Sequence, residues 1–298
     1  WKEIMGTEES NGKKAVEFPR PGHADLTGGM KYNHKDLRNV LERASARETA
    51  ARVAVGALVR QVVEPFGITF KSHVVSIGGI KDEADVTAPD FYEKVAQSPV
   101  RFGDEKSAER AMQYIDKIKA AGESLGGVVE VRVDGVPAGL GSYVQYDRKL
   151  DAKLAFAAMS VQAIKGVEIG MGFEVSNVSG SHAHDEIFYK NGEFTRETNN
   201  AGGIEGGMSN GNEIVLRAAM KPIPTQYNPL RTVSIKDKSE HEASVERSDS
   251  CAVPACAIVV ESVIAFEIVN AFLEKFGGDC VTDINAAYEA YKERIKNY

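Results

Sequence analysis

Hydrophobic positions recur every three to four residues over 31–67, KYNHKDLRNVLERASARETAARVAVGALVRQVVEPFG, and that period predicts one long helix. Leu37, Val40, Leu41, Ala44, Ala51, Val55, Leu58 and Val62 mark its apolar faces. Asp36 stands as the N-cap, and Pro65 and Gly67 end the helix. Its alanine-rich middle permits close approach by a neighbouring helix or a ligand. ITFKSHVVSIGGI (68–80) reads as a β-branched strand closed by Gly78–Gly79. DEKSAERAMQYIDKIKAAGE (104–123) returns to helical spacing at Ala108, Met112, Ile115 and Lys119, with Gly122 as a stop.

GGVVEVRVDGVPAGLG (126–141) alternates as a half-exposed strand does, RKLDAKLAFAAMS (148–160) is a shorter helix, and KGVEIGMGF (165–173) is strand-like. DEIFY and GEFT, joined through Asn191–Gly192, predict a hairpin. The stretch 199–225 reads as a glycine loop, a strand and a proline-pinned loop, and two helices close the chain. Strands and helices alternate without the regular spacing of a parallel βαβ array. The fold class is therefore α+β, long helices layered with antiparallel sheets. No internal repeat or Ser/Pro-rich linker divides the chain, which reads as a single domain over 1–298.

Composition narrows the function. A formal net charge of −7, with no finger spacing or heptad-backed basic region, argues against nucleic acid as the main partner. The longest apolar stretch, AVPACAIVVESVIAFEIVNAF (252–272), is interrupted by Glu261 and Glu267 and reads as a core helix, so no membrane span is expected. Cys251, Cys256 and Cys280 form no CxxC pair, which suits buried, inert thiols in the cytoplasm. The opening WKEIMGTEES is neither a signal nor a transit peptide.

Four polar clusters carry candidate chemistry. In RPGHADL (20–26), Pro21 and Gly22 bend the chain, Arg20 offers a cation, and Asp25 orients either His23 or the turn itself. Arg43 and Arg47, four apart on the expected helix, repel one another. They are either a solvated face or, with Ser45, an anion site suited to bidentate phosphate or carboxylate. In MKPIPT (220–225), Pro222 and Pro224 set the directions of Lys221 and Thr225, as a phosphate site or as an extended edge. ERSDSCAVPA (246–255) puts Arg247, Ser248 and Asp249 ahead of a helix, where Asp249 or Ser250 serves as an N-cap or the group meets an anion. GGIEGGMSNG (202–211) is neither a Rossmann nor a Walker loop. His182, His184 and Asp185 make only a weak metal pattern, so no metal site is assigned. His34, His73 and His241 read as structural or surface residues. No GxSxG nucleophile elbow appears, since the GMSNG of 207–211 lies within the glycine loop, and HExxH does not occur, so a hydrolase lacks its nucleophile or metal.

Taken together, these stretches resemble the chorismate synthase family. RPGHADLTGGMKYNHKDLRNVLERASARETAARVAVGA is similar to its most distinctive block. GSYVQYDRKLDAKLAFAAMSVQAIKGVEIG, GGIEGGMSNG, MKPIPT and RSDSCAVPA follow in the family's order. The resemblance implies a reaction: 1,4-anti elimination of phosphate from 5-enolpyruvylshikimate 3-phosphate, giving chorismate, with reduced FMN and no net redox change. It also implies roles. Arg20, Arg47 and Arg247 bind the substrate's anionic groups, and His23 stabilises the anionic reduced flavin. Ser45 and Asp249 join His23 as catalytic residues, Asp249 relaying the proton near the flavin N5. Ser45, Ala46, Arg47, Gln162, Ala163, Met220, Lys221, Thr225, Arg247, Ser248 and Asp249 line the FMN site, with Lys221 and Thr225 at its phosphate end. Gln162 stands where another polar residue is frequent. A helix layer between antiparallel sheets and a homotetramer are implied as well.

The family begins with a GESHG-type segment carrying a second catalytic histidine, and this sequence starts after it. On that reading the 298-residue chain alone has little or no synthase activity. Nothing resembles a nicotinamide site, so reduced flavin comes from elsewhere. Two other classes stay in view. A non-catalytic flavin- or phosphate-binding module would bind flavin without turnover, and a purely structural protein would show no ligand-dependent rise in melting temperature.

Overall fold

The computed structural model describes residues 15–298, so the opening stretch WKEIMGTEES lies outside the described residues. In chain order the helices are α1 Asp25–Tyr32, α2 Arg38–Arg43, α3 Thr49–Val59, α4 Phe91–Gln97, α5 Glu105–Ala120, α6 Leu150–Met159, α7 Gly180–Ala183, α8 Val253–Phe276 and α9 Val281–Lys296. The strands are β1 Thr69–Ile77, β2 Ile80–Lys81, β3 Gly127–Asp134, β4 Ile164–Ile169, β5 Ile187–Lys190, β6 Glu193–Arg196, β7 Ile204–Glu205, β8 Met208–Ser209, β9 Ile214–Met220, β10 Arg231–Val233 and β11 Glu240–Glu242.

Five strands form the main sheet, in the order β2-β1-β3-β9-β4, with antiparallel neighbours throughout. Alternation decides which side faces the core. Val129, Val131 and Val133 of β3 are fully buried with Ile214 and Leu216 of β9, and they cluster with Val260, Ile264 and Phe272 of α8. The fold is thus α+β, with long helices packed against antiparallel sheet. The β1–β2 turn at Gly78–Gly79 and the β5–β6 hairpin at Asn191–Gly192 stand where the sequence puts them, all four residues having positive φ.

Helix α8 is long and apolar enough, by length and composition, to cross a membrane, with a mean hydropathy of 2.0 over its best window. Its surroundings assign it otherwise. Two thirds of that window is buried inside this fold, and Glu261 at its centre accepts hydrogen bonds from Arg60 (2.7 Å) and Ser72 (2.6 Å). The close approach expected of the alanine-rich segment occurs here. A Cβ on Gly56 of α3 would lie 2.5 Å from the Cβ of Ser262 on α8.

One expectation fails. The single helix over 31–67 is three pieces, because two polar residues divert the backbone. Asn33 takes a left-handed conformation (φ 54°) and stops α1. Ser45 is extended (φ −61°, ψ 136°), and its Oγ accepts the amide of Arg47 at 3.3 Å, which starts a 3-10 turn over Ala46–Glu48. Arg43 and Arg47 consequently share no continuous helix, and the expected repulsion along one face does not arise. The N-cap of α2 is Leu37 and not Asp36, which stands one position earlier with its Oδ1 accepting from Arg38 N and from Val16 N, both at 2.9 Å. Helix α4 and the β10–β11 hairpin lie in stretches for which the hydrophobic pattern predicts nothing.

Candidate active site

Between the β-rich core and α1, the chain makes the bend announced by RPGHAD. Gly22 has φ +77°, and the His23 amide donates to the Arg20 carbonyl at 3.2 Å, closing the turn. This places three side chains on one another. Arg20, 6% exposed, donates through Nε to Asp25 Oδ2 (2.8 Å) and through Nη2 to Asp25 Oδ1 (3.1 Å). Nδ1 of His23 lies 2.6 Å from Asp25 Oδ1, and the Arg20 amide donates to Oδ2 at 3.1 Å. Asp25 is fully buried. Burial by itself would raise its carboxyl, but hydrogen bonds from His23 and Arg20 hold it well below the usual carboxylate range.

The proline-pinned segment meets this turn from the far end of β9. Thr225 is buried and accepts from Arg20 Nη1 at 2.7 Å, across 205 residues of sequence. The Lys221 ammonium donates to the Gly22 carbonyl. The Lys221 amide also donates to the Ala163 carbonyl at 2.9 Å, and Ala163 itself takes a left-handed φ of 69°. Hydrogen bonds thus link Arg20, His23, Ala163, Lys221 and Thr225, which sequence analysis drew from three separate blocks. Met220, half-buried, ends β9 directly before Lys221.

The comparisons with known proteins decide what this arrangement belongs to. A family model described as chorismate synthase matches residues 2–273. The chain belongs to the chorismate synthase family. Relatives in that family include a chorismate synthase of Geobacter metallireducens, 54% identical over 309 residues, which matches all of this chain and 79% of its own length. One of Bacillus cytotoxicus is 50% identical over 307 residues, with the same two shares. A crystal structure of chorismate synthase superposes with a TM-score of 0.80 at 44% identity, covering 92% of this chain and 77% of that one. The chain is accordingly an enzyme, a lyase.

Other residues that the family resemblance singles out sit apart from the turn in their contacts. Ser45 caps the 3-10 turn that carries Ala46 and Arg47. The Arg47 side chain is 87% exposed, with Glu42 at 3.9 Å as its ion pair. Gln162 donates to Glu48 Oε1 at 2.5 Å, and Glu48 is held in turn by Arg52 at 2.9 Å, which also donates to Ser160 at 2.7 Å. These bonds from Arg52 and Gln162 lower the Glu48 carboxyl from its ordinary value. Gln162 Oε1 is buried with no hydrogen-bond partner among the described residues. Arg247 and Asp249 are exposed and Ser248 half-buried. No hydrogen bond or ion pair among the described residues joins Arg47 or Arg247 to the RPGHAD turn.

Asp249 and Ser250 do not cap α8; its N-cap is Ala252, with no side-chain hydrogen bond. The segment stays extended because Leu125 pairs with Cys251 and donates its amide to the Ser250 carbonyl. The three thiols are likewise not all buried. Cys256 is buried, which pushes its thiol up to about 12, and Cys251 is half-buried and also raised by burial, but Cys280 is exposed at the start of α9. His182 bonds to Ser179 at 2.8 Å, while Asp185 binds the loop at 198–201 through Thr198 and two backbone amides. His73 is buried and structural, edge-on to Phe91.

Sequence reasoning passed over Glu48 and Arg52 as site residues. Their i,i+4 spacing on a helix start was the available signal, but it reads equally as an ordinary surface pair. A cavity of about 320 Å³ opens beside them between α3, α6 and α8, lined by Val55, Phe156, Val263 and Phe266 as well as Arg52.

Proposed function

We propose that the site in this chain serves the family's reaction, the 1,4-anti elimination of phosphate from 5-enolpyruvylshikimate 3-phosphate to give chorismate, with reduced FMN and no net redox change. The observation that carries this reading is the bonding of the RPGHAD turn to the KPIPT segment through Arg20–Thr225 and Lys221–Gly22. A substrate with a phosphate and two carboxylates needs several cations in one place. Arg47 and Arg247 keep exposed guanidinium donors for direct contact. All of Arg20's side-chain nitrogens are engaged, so in this reading Arg20 shapes the site and leaves direct contact to the other two.

The residues fit a flavin on two observations. Lys221 holds its ammonium beside the glycine turn with one carbonyl partner for three donors, which leaves capacity for a phosphate. Gln162 and the left-handed Ala163 present an unsatisfied amide oxygen and a strained backbone, features that cluster at ligand sites. Lys221 and Thr225 would hold the phosphate end, and Ser45, Ala46, Gln162, Ala163, Met220, Ser248 and Asp249 would line the rest. Reduced FMN, when bound, supplies electron density to the leaving-group step and takes up a proton at N5. His23 stabilises the reduced flavin's negative charge, and Asp249 moves the proton. Reduced flavin comes from outside the chain, and the enzyme works in the cytoplasm as a homotetramer of single-domain subunits.

Phosphate release under anaerobic conditions, with reduced FMN and 5-enolpyruvylshikimate 3-phosphate, tests the reaction. Turnover that depends on reduced flavin supports it. Flavin binding without any turnover would favour the non-catalytic module instead, and neither binding nor turnover would remove both. Light scattering on the eluting protein tests the tetramer.

A further inference from the structure

We propose that Asp25 is a positioning residue that fixes the tautomer of His23, keeping a proton on Nδ1 so that Nε2 alone gains and loses one. The assignment rests on hydrogen-bond polarity. Both Asp25 oxygens already accept from Arg20: Oδ2 from the backbone amide and Nε, Oδ1 from Nη2. A carboxylate met by that many donors is ionised and has no hydrogen to give. The hydrogen in the 2.6 Å bond therefore belongs to His23 Nδ1. A neutral imidazole carries one N–H, so its lone pair lies on Nε2.

Arg20 does not occupy that lone pair. Its Nη2 lies 3.1 Å from Nδ1 and 3.3 Å from Nε2. An atom nearly equidistant from both nitrogens cannot lie in the ring plane without striking the carbon between them, so the guanidinium sits over the ring face. Two further restraints complete the frame. Thr225 holds Arg20 from the other side, and the His23 amide is tied to the Arg20 carbonyl. The charged groups around the ring are Arg20 and Asp25, with the Lys221 ammonium on the neighbouring Gly22 carbonyl.

The functional half of the proposal rests on the reading of His23 given under Proposed function; the tautomer does not. Long-range proton–nitrogen NMR on the flavin-free chain, labelled at histidine and assigned through His23→Gln, reads the tautomer directly. In the neutral ring, Nδ1 is expected in the protonated range and Nε2 in the lone-pair range. The opposite assignment in the unaltered protein overturns the proposal without any variant. In Asp25→Asn, the amide oxygen meets the two donors now on Oδ2, since the other orientation leaves both unpaired; this turns the amide NH₂ toward Nδ1 and leaves Arg20 Nη2 without its carboxylate acceptor. That NH₂ needs a lone pair, so the proton moves to Nε2 and the two nitrogen signals exchange. The same variant should lose about 100-fold in kcat with KM changed only a few-fold, the scale of a misplaced acid–base group. Nitrogen signals that exchange with turnover intact would sink the role of His23 and leave the tautomer assignment standing.

Discussion

Thr225 Oγ1 accepts a 2.7 Å hydrogen bond from Nη1 of Arg20, and both groups are buried. With that bond every nitrogen of the guanidinium has a hydrogen-bond partner. Thr225→Val keeps the shape and removes the acceptor, so a buried cationic N–H loses its partner. The expected cost is about 1–3 kcal/mol. Thr225→Ser restores the oxygen and should recover most of it. Urea unfolding of the three proteins checks this, and a valine variant as stable as the parent would mean the bond contributes nothing.

Acid should act on the same cluster with a definite sign. Asp25's folded-state value lies below its unfolded value of about 3.9. Its contribution is therefore complete above roughly pH 4 and is lost as pH falls toward the folded value. The stability gap between the parent and Asp25→Asn should be widest near neutrality and shrink below about pH 4. Unfolding free energies measured from pH 7 to pH 3 give the comparison, and a gap that stays constant contradicts the pairing.

How much of this is legible in the sequence depends on the distance over which each contact acts. Strand β3 follows from alternation and β1 from its β-branched residues and closing glycines, because each signal needs only its own neighbours. The RPGHAD turn is legible for the same reason, since Arg20, His23 and Asp25 lie within five residues. The breaks are hidden, because the left-handed backbone of Asn33, or the one Ser45 hydroxyl that captures a backbone amide, outweighs a helical period extending on both sides. Arg20–Thr225 and Glu48–Gln162 are hidden more deeply. Partners 205 and 114 residues apart impose no pattern on either local stretch, and only family resemblance brings their blocks together.

Thiol chemistry separates the three cysteines. Cys280 is exposed, whereas burial raises the Cys251 and Cys256 thiols and hides the latter from solvent. A disulfide reagent near pH 8 should modify one thiol of the native protein rapidly, with the other two following only on denaturation. Mass mapping should find the fast label on Cys280. Equal labelling of Cys256 in the folded state would contradict its burial.

Gly56 offers a test of how rigidly α3 and α8 are held together. In an open helix interior, replacing glycine by alanine gains about 1 kcal/mol in helix propensity. Here the new methyl would meet Ser262 at 2.5 Å from its Cβ and 2.7 Å from both its Cα and its carbonyl oxygen. Two of those atoms belong to the backbone of a helix packed against β1 and β3, so no rotamer change relieves the contact. Overpacking of this kind costs about 1–3 kcal/mol. Because the neighbour cannot turn aside, the upper part of that range applies, and it outweighs the propensity gain. Gly56→Ala should therefore lower Tm by about 2–6 °C in calorimetry, at the scaling for a chain of this size. A rise in Tm would mean that the two helices separate freely, and that the close approach is not what holds the helical layer against the sheet.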